Sequence, residues 1–436
     1  VIGLFAAFAL ATGSAMAQTA PAPAAAPAPV PSAAPSAAPA AAPAPRLIQF
    51  SGALDTLYSK TLGAGGLQFT GNPPAGAAGD FAFGPQNARS FDYRNGQLEL
   101  EDLNISATLN DGPLGGRILV NLGPQANVSY TYPSQFAGFD LSQLYLTYTK
   151  GKATLTGGKF GTLAGYESSE SVNDTTVSRG ILFWYQPATH LGGRLTYVLN
   201  DKFTLIGGLN NGWNSWQSLN ASLTSEYGLV FTPNANYTLA LQGYTGYAQL
   251  GNYGGPNRPA TIDFPLGKPG GPPTGTQGQK KLFDFVATAK PIKNLTLVAN
   301  YDNGSQSVTS PDAPVFPEGW AAPGTGSLVQ WSGLAGYAIY QINPRLTGTL
   351  RYEGFHDANG FQTGYRQLWH EATIAASWAA TPHLTLRGEL RHDVSSDPVF
   401  NTPANSPIVN NGSTYTVGTS GINNNSTLGL EALIHF

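Results

Sequence analysis

The connections between this chain's strands alternate strictly between short and long. From Arg46 onward, segments with period-2 alternation are joined by tight turns at 110–115, 150–152, 200–202, 233–236, 291–294, 343–345 and 381–383. Between the resulting hairpins lie long polar, Gly/Pro-rich stretches at 59–97, 129–138, 161–190, 212–224, 249–278, 306–326, 357–367 and 394–424. A soluble β-sandwich has no reason to segregate its loops to one end by length. An antiparallel barrel crossing an outer membrane does, with short periplasmic turns and long extracellular loops.

Strands are expected at 47–58, 98–109, 116–128, 139–149, 153–160, 191–199, 203–211, 225–232, 237–248, 280–290, 295–305, 327–342, 345–356, 368–380, 384–393 and 426–436. The fold class is therefore all-β: a transmembrane up-and-down barrel of about sixteen strands. The count is even, so both ends lie on the periplasmic side. The apolar run Ile181 to Tyr185 would, as one extra strand, make the count odd and invert every later connection. It is assigned to the connection 161–190, with a surface hairpin over 180–199 as the competing expectation.

Composition supports the barrel. Charged residues are 11% of the chain, where soluble domains carry about 25%. Net charge is -3, which argues against a nucleic-acid partner, and the absence of cysteine excludes disulfides and thiolate metal sites. Strand charges fall opposite the apolar face, as they must where a charge facing lipid at the midplane costs about 2–4 kcal/mol. Arg194, Asp284, Arg351, Glu353, Glu371, Arg387, Glu389 and Arg391 obey this rule. Tyr148, Tyr197, Phe203, Phe231, Tyr237, Trp378 and Phe436 collect on the apolar face beside the short turns, as an interfacial girdle would. The other face is polar and small, with Gly208, Thr288, Thr347, Thr373 and Ser377 among its residues. Barrels of this width enclose water.

The start of the chain is a different material. Residues 1–17 read as a signal peptide, with an apolar run and an Ala15-Met16-Ala17 cleavage pattern. Residues 18–45 are an Ala/Pro-rich periplasmic linker, which in polyproline II form would reach roughly 80 Å. The barrel occupies 46–436.

No catalytic signature or cofactor motif is present. His356-Asp357 and His392-Asp393 read as solvated rim pairs at the loop ends of strands. Arg117, Arg194, Arg351, Arg387, Glu389 and Arg391 are expected to line the pore. The segment 161–190 is expected to fold into the mouth, with Glu167, Glu170 and Asp174 projecting into the channel opposite the arginines and Arg179 among them. The competing expectation has some of these arginines simply pairing with Glu353 and Glu389 across neighbouring strands.

Three stretches carry a family resemblance: Gly157-Gly158-Lys159-Phe160-Gly161-Thr162-Leu163-Ala164-Gly165-Tyr166-Glu167; Ser178-Arg179-Gly180-Ile181-Leu182-Phe183 followed by Pro187, His190 and Gly193-Arg194; and Asn210-Asn211-Gly212-Trp213-Asn214. With the opening strand Phe50 to Tyr58, they resemble the OmpL-like β-barrel porins. Gly180 departs from the Ser of the family pattern, and the Ala/Pro linker is not implied by it. The resemblance implies an outer-membrane porin without catalytic residues. The C-terminal strand ending in Phe436 resembles the signal that such barrels present to their assembly machinery. The expected partners are membrane lipid, that machinery, and small hydrophilic solutes or ions, and homo-oligomers are compatible with this reading. The expected function is passive diffusion, with a substrate-selective channel or a tethered structural barrel as alternatives.

Overall fold

The computed structural model describes residues 47–62, 91, 96–128, 138–216, 218, 221–247, 278–308, 327–359, 362, 366–397, 400 and 422–436. The segments read as a signal peptide (1–17) and a linker (18–45), and most of the longest connections, lie outside the described residues. Sixteen antiparallel strands close into one barrel. They are β1 (Ile48–Leu62), β2 (Gln97–Asp111), β3 (Leu114–Leu122), β4 (Phe139–Lys150), β5 (Ala153–Gly161), β6 (Thr189–Val198), β7 (Phe203–Asn210) and β8 (Thr224–Asn234). The second half comprises β9 (Tyr237–Tyr247), β10 (Gln279–Ile292), β11 (Leu295–Val308), β12 (Ser327–Asn343), β13 (Leu346–Asp357), β14 (Gln367–Thr381), β15 (Leu384–Ser395) and β16 (Asn424–His435).

All sixteen expected strands are present. The third stops at Leu122, and its expected tail is instead a short helix, α1 (Pro124–Val128). The run beginning at Ile181 forms a single helical turn, α2 (Ile181–Trp184), and no hairpin over 180–199 exists.

Closure follows from the solvent. A lipid-exposed edge would leave backbone groups without partners, so β1 must pair with β16. It does so from Ala53 against His435 to Leu62 against Ser426. The last residue completes the seam: the Phe436 and Gly52 backbones exchange hydrogen bonds of 3.1 and 3.2 Å.

The tight turns are built from local side-chain chemistry. Asn200 Oδ1 accepts the backbone N–H groups of Lys202 and Phe203, and Asn343 Oδ1 does the same for Arg345 and Leu346. Gly112 and Gly151 supply positive φ values of 58° and 59° in two other turns.

The pleat sorts the two faces. Leu98, Leu146, Leu155, Leu350, Ile374 and Ile434 point outward and are exposed. Arg351, Glu353, Glu371, Arg387, Glu389 and Arg391 point inward and are buried. A one-residue slip would exchange these sets and turn each arginine toward lipid, at about 2–4 kcal/mol apiece near the midplane. Of the expected girdle residues, Tyr148, Tyr197, Tyr237, Trp378 and Phe436 are exposed on the outer face, while Phe203 and Phe231 stack on each other at 4.6 Å.

Two features depart from simple alternation. A bulge opposite Asp55/Thr56 turns both Glu101 and Asp102 inward. The lumen face of β12 is apolar, with Val329, Trp331, Ala335, Tyr337 and Ile339 all buried. The expectation of a uniformly polar lumen fails here because α2 packs against that wall.

Candidate functional site

The connection between β5 and β6 enters the barrel and crosses it. It leaves the wall at Gly161, returns at Thr189, and between these points touches β1, β3, β11, β13 and β15. In a sixteen-strand ring, β13 lies across the diameter from β5. The segment therefore bridges the lumen and is anchored on the far wall.

The apolar part docks first in the chain of causes, because the run from Ile181 to Tyr185 cannot remain in water. Ile181, Leu182, Trp184 and Tyr185 are buried against Trp331, Ala335, Tyr337, Phe355 and Trp369. The Tyr185 ring stacks on Phe355 at 4.5 Å, and Tyr166 packs on Tyr337 at 4.9 Å. Burial raises the hydroxyl pKa of both loop tyrosines, so they stay neutral. Gly165 has a φ of +87°, and a Cβ there would lie 2.0 Å from Gln186 Oε1. Only glycine fits this bend.

The polar part is held by wall charges. Arg351 donates from Nε to Glu371 at 2.7 Å, and from Nη1 to Glu167 at 2.7 Å, Thr176 Oγ1 at 3.1 Å and the Ser178 carbonyl at 2.7 Å. Its Nη2 donates to Ser178 Oγ at 3.0 Å and Thr373 Oγ1 at 3.3 Å. Arg391 Nη1 donates to the Arg179 carbonyl at 2.6 Å, and Arg387 Nη2 to the Asp174 carbonyl at 2.6 Å. The carboxylates hold the segment's backbone donors. Glu389 accepts from the N–H groups of Val177 and Ser178 and from Ser178 Oγ, at 2.7, 3.1 and 2.5 Å. Glu353 accepts from the Ile181 N–H.

This arrangement corrects the sequence reading of the charged residues. Arg351, Arg387 and Arg391 face inward, yet they are covered by the segment rather than bare to a channel, and Glu389 is covered with them. Glu167, Glu170 and Asp174 do not project freely. Glu167 pairs with Arg351 at 2.7 Å, Glu170 makes a two-pronged contact with Arg117 at 3.0 and 2.7 Å, and Asp174 pairs with Arg179 at 3.0 Å. The reason is energetic: a charge taken out of water must find a partner, on the wall for Glu167 and Glu170 and within the segment for Asp174. Arg387 pairs with Glu431, Arg391 with Asp393 and Arg194 with Glu226. Glu353 and Glu389 still act on Arg351 through their charge, and they also hold backbone N–H groups of the segment. The rim pairs also divide: His356 and His392 point outward and are exposed, whereas Asp357 and Asp393 are buried inside.

Asp174 lies in the segment rather than a strand. Burial pushes its carboxyl up to about 6, against the pull of Arg179 and Arg387 and with Glu167 adding to the rise. Burial by itself would lower Arg179, but Asp174 and Glu167 outweigh it and hold the guanidinium charged.

Charged contact with the remaining lumen concentrates on the β3–β6 side. Arg117 is the most exposed of the paired arginines, with 24% of its side chain accessible, and it also reaches Gln143 at 3.4 Å. Arg194 lies over the Phe160 ring at 4.3 Å.

Sequence reasoning missed several anchors. Asp55 accepts from Ser171 Oγ at 2.6 Å, Gln125 of α1 donates to the Ser169 carbonyl at 2.7 Å, and Gln186 donates to Asp302 at 2.7 Å. One signal for the docking wall was available: the inward face of β12 carries Val329, Trp331, Ala335, Tyr337 and Ile339, which a strand facing water on that side would not.

The family model described as Putative beta-barrel porin-2, OmpL-like matches residues 48–436, the whole span of the barrel. The chain belongs to this porin family. It is an outer-membrane porin, and the inward segment lies within its channel. No curated protein matches it in sequence. Among solved structures, an anion-selective porin from Comamonas acidovorans is similar with a TM-score of 0.52 at 9% identity, covering 89% of this chain and 99% of that one. OprB of Pseudomonas putida gives 0.52 at 12% identity, covering 89% and 94%. OmpT of Vibrio cholerae, in a form lacking loop L8, gives 0.51 at 10% identity, covering 89% and 99%. At these identities the likeness is one of fold.

Proposed function

We propose that this porin passes small hydrophilic solutes by passive diffusion, without enzymatic chemistry, and that the segment between β5 and β6 sets the size limit. The observation that carries the reading is the diameter-spanning segment, which Arg351 and Glu389 anchor on the wall opposite its origin. A segment so fixed narrows the passage without closing over the β3–β6 side, where Arg117, Glu170 and Arg194 would border the path. Arg351, Arg387, Glu389, Arg391, Asp174 and Arg179 serve as its fasteners. Phe436 closes the seam and would present the signal for barrel assembly.

The experiment is solute flux into liposomes carrying the full chain, with sugars of increasing size, beside a variant lacking 166–178. The wild type is expected to admit small sugars at rates linear in concentration. The deletion is expected to admit larger ones and to conduct more in planar bilayers. Saturating flux would favour a solute-binding channel instead. Unchanged flux from a correctly folded deletion variant would defeat the size-limit assignment.

A further inference from the structure

On the outer face of the barrel, near the end that carries the long connections, one row gathers three imidazoles and an ammonium among apolar residues. Six outward residues on six consecutive strands form it: Ser332, His356, His370, His392, Ser426 and Lys60, from β12 through β16 to β1. Ser332 is the register partner of His356, His370 of Gly354, and His392 of both Ala372 and Ser426. Leu428, next outward on β16, faces Lys60. The row is therefore continuous around this sector. Half of the chain's six histidines stand in it.

Its depth is set by the strands. Below the row, Leu350, Ile374, Leu390 and Leu430 are outward and exposed. On β14, eight residues separate His370 from Trp378 at the opposite interface. At about 3.3 Å per residue and a tilt near 40°, that is roughly 20 Å, against an apolar band of about 25 Å. The histidines thus lie where hydrocarbon gives way to headgroups. Elsewhere the same end of the barrel presents the aromatics Tyr227, Phe283 and Tyr301, with Lys281 and Asn303 beside them and no histidine among them. Aromatics suffice for an interface, so the imidazoles gathered here call for a different neighbour.

Two of the imidazoles are held in place by side-chain contacts at Nδ1. The Tyr352 hydroxyl lies 3.2 Å from His370 Nδ1 with the rings stacked at 6.0 Å, and Ser426 Oγ lies 2.8 Å from His392 Nδ1. Each contact occupies Nδ1 and leaves the Nε2 side for another partner. No acidic side chain stands in the row. The groups facing it are Tyr352, the two serines, Leu368 and Val394.

We propose that this row is a binding site for the phosphorylated headgroup of an outer-leaflet glycolipid. Lys60 supplies an ammonium group, and the imidazole N–H groups donate hydrogen bonds to phosphate oxygens. The acyl chains would lie along Leu350, Ile374, Leu390 and Leu430.

The test uses the full chain in phosphatidylcholine vesicles with and without lipid A, followed by detergent extraction, purification and quantification of lipid A retained per barrel. Wild type is expected to retain it. The variant K60Q/H356Q/H370Q/H392Q is expected to retain about tenfold less. K281Q, which removes an outward lysine on β10 away from the row, is expected to match wild type. Heat-modifiable migration and conductance verify that each barrel is folded. Should the fourfold variant not fold, H370Q and H392Q singly are each expected to lower retention. Equal retention by wild type and the row variants overturns the proposal. So does a variant that loses only self-association, which would make the row a contact between copies. Channel activity is read separately, so failure here leaves the flux result standing.

Discussion

Replacing Arg351 with Met tests how the segment is held. The substitution keeps an unbranched side chain two atoms shorter and removes six hydrogen bonds, four of them to the segment: to Glu167, Thr176, the Ser178 carbonyl and Ser178 Oγ. It also leaves Glu167 buried without its cation. Glu371 keeps a weaker neighbour, since Arg391 lies 3.6 Å away. Breaking a buried ion pair on one side costs about 3–5 kcal/mol, mostly as the penalty of the stranded charge. The barrel wall has its own ladder of backbone hydrogen bonds, so the cost falls on the docked segment. At about 1.4 kcal/mol per tenfold, such a loss raises the undocked population by a factor on the order of 100 or more. Single-channel recording reads this directly. Arg351→Met is expected to give larger and noisier conductance than wild type while retaining heat-modifiable migration. Steady, wild-type conductance from a folded Arg351→Met barrel would show that the apolar docking of α2 suffices and that the arginine is not a fastener.

Three further outcomes are expected. Asp174 binds its proton more tightly folded than unfolded, so ionising it costs stability above about pH 6, and that cost fades as pH falls toward the ordinary value of 3.8. Asp174→Asn removes the titration, so its unfolding free energy relative to wild type should be most favourable above pH 6 and decline through that window; a pH-independent difference would refute the assignment. An epitope tag between β15 and β16 should be accessible on intact cells and a tag at 200–202 should not, and the reverse would invert the topology. Phe436→Ala should lower the yield of assembled barrel in cells while leaving refolding in detergent efficient, and equal losses in both would make the residue merely part of the seam.

Much of this protein is local enough to be legible in its sequence. Period-2 alternation reports which face meets lipid, because each outward charge would be costly and each strand reads its two solvents residue by residue. Turn asparagines such as Asn200 and Asn343 mark the short connections by chemistry that involves only their neighbours. Parity then places Ile181 to Tyr185 inside a connection, since a closed barrel with both ends on one side cannot have an odd number of strands.

The pairing of charges across the lumen was decided only by tertiary structure. Arg351 and Glu167 are 184 residues apart, and Glu389 and Val177 are 212 apart. Nothing local distinguishes an arginine that lines water from one that a folded-in segment covers, because both sit on the same face of the same strand. The choice between them depends on where the segment lands, and that depends on an apolar wall assembled from β12, β13 and β14. Burial then reverses the expected behaviour of the acids: in water they would project, whereas out of water each must reach the nearest cation.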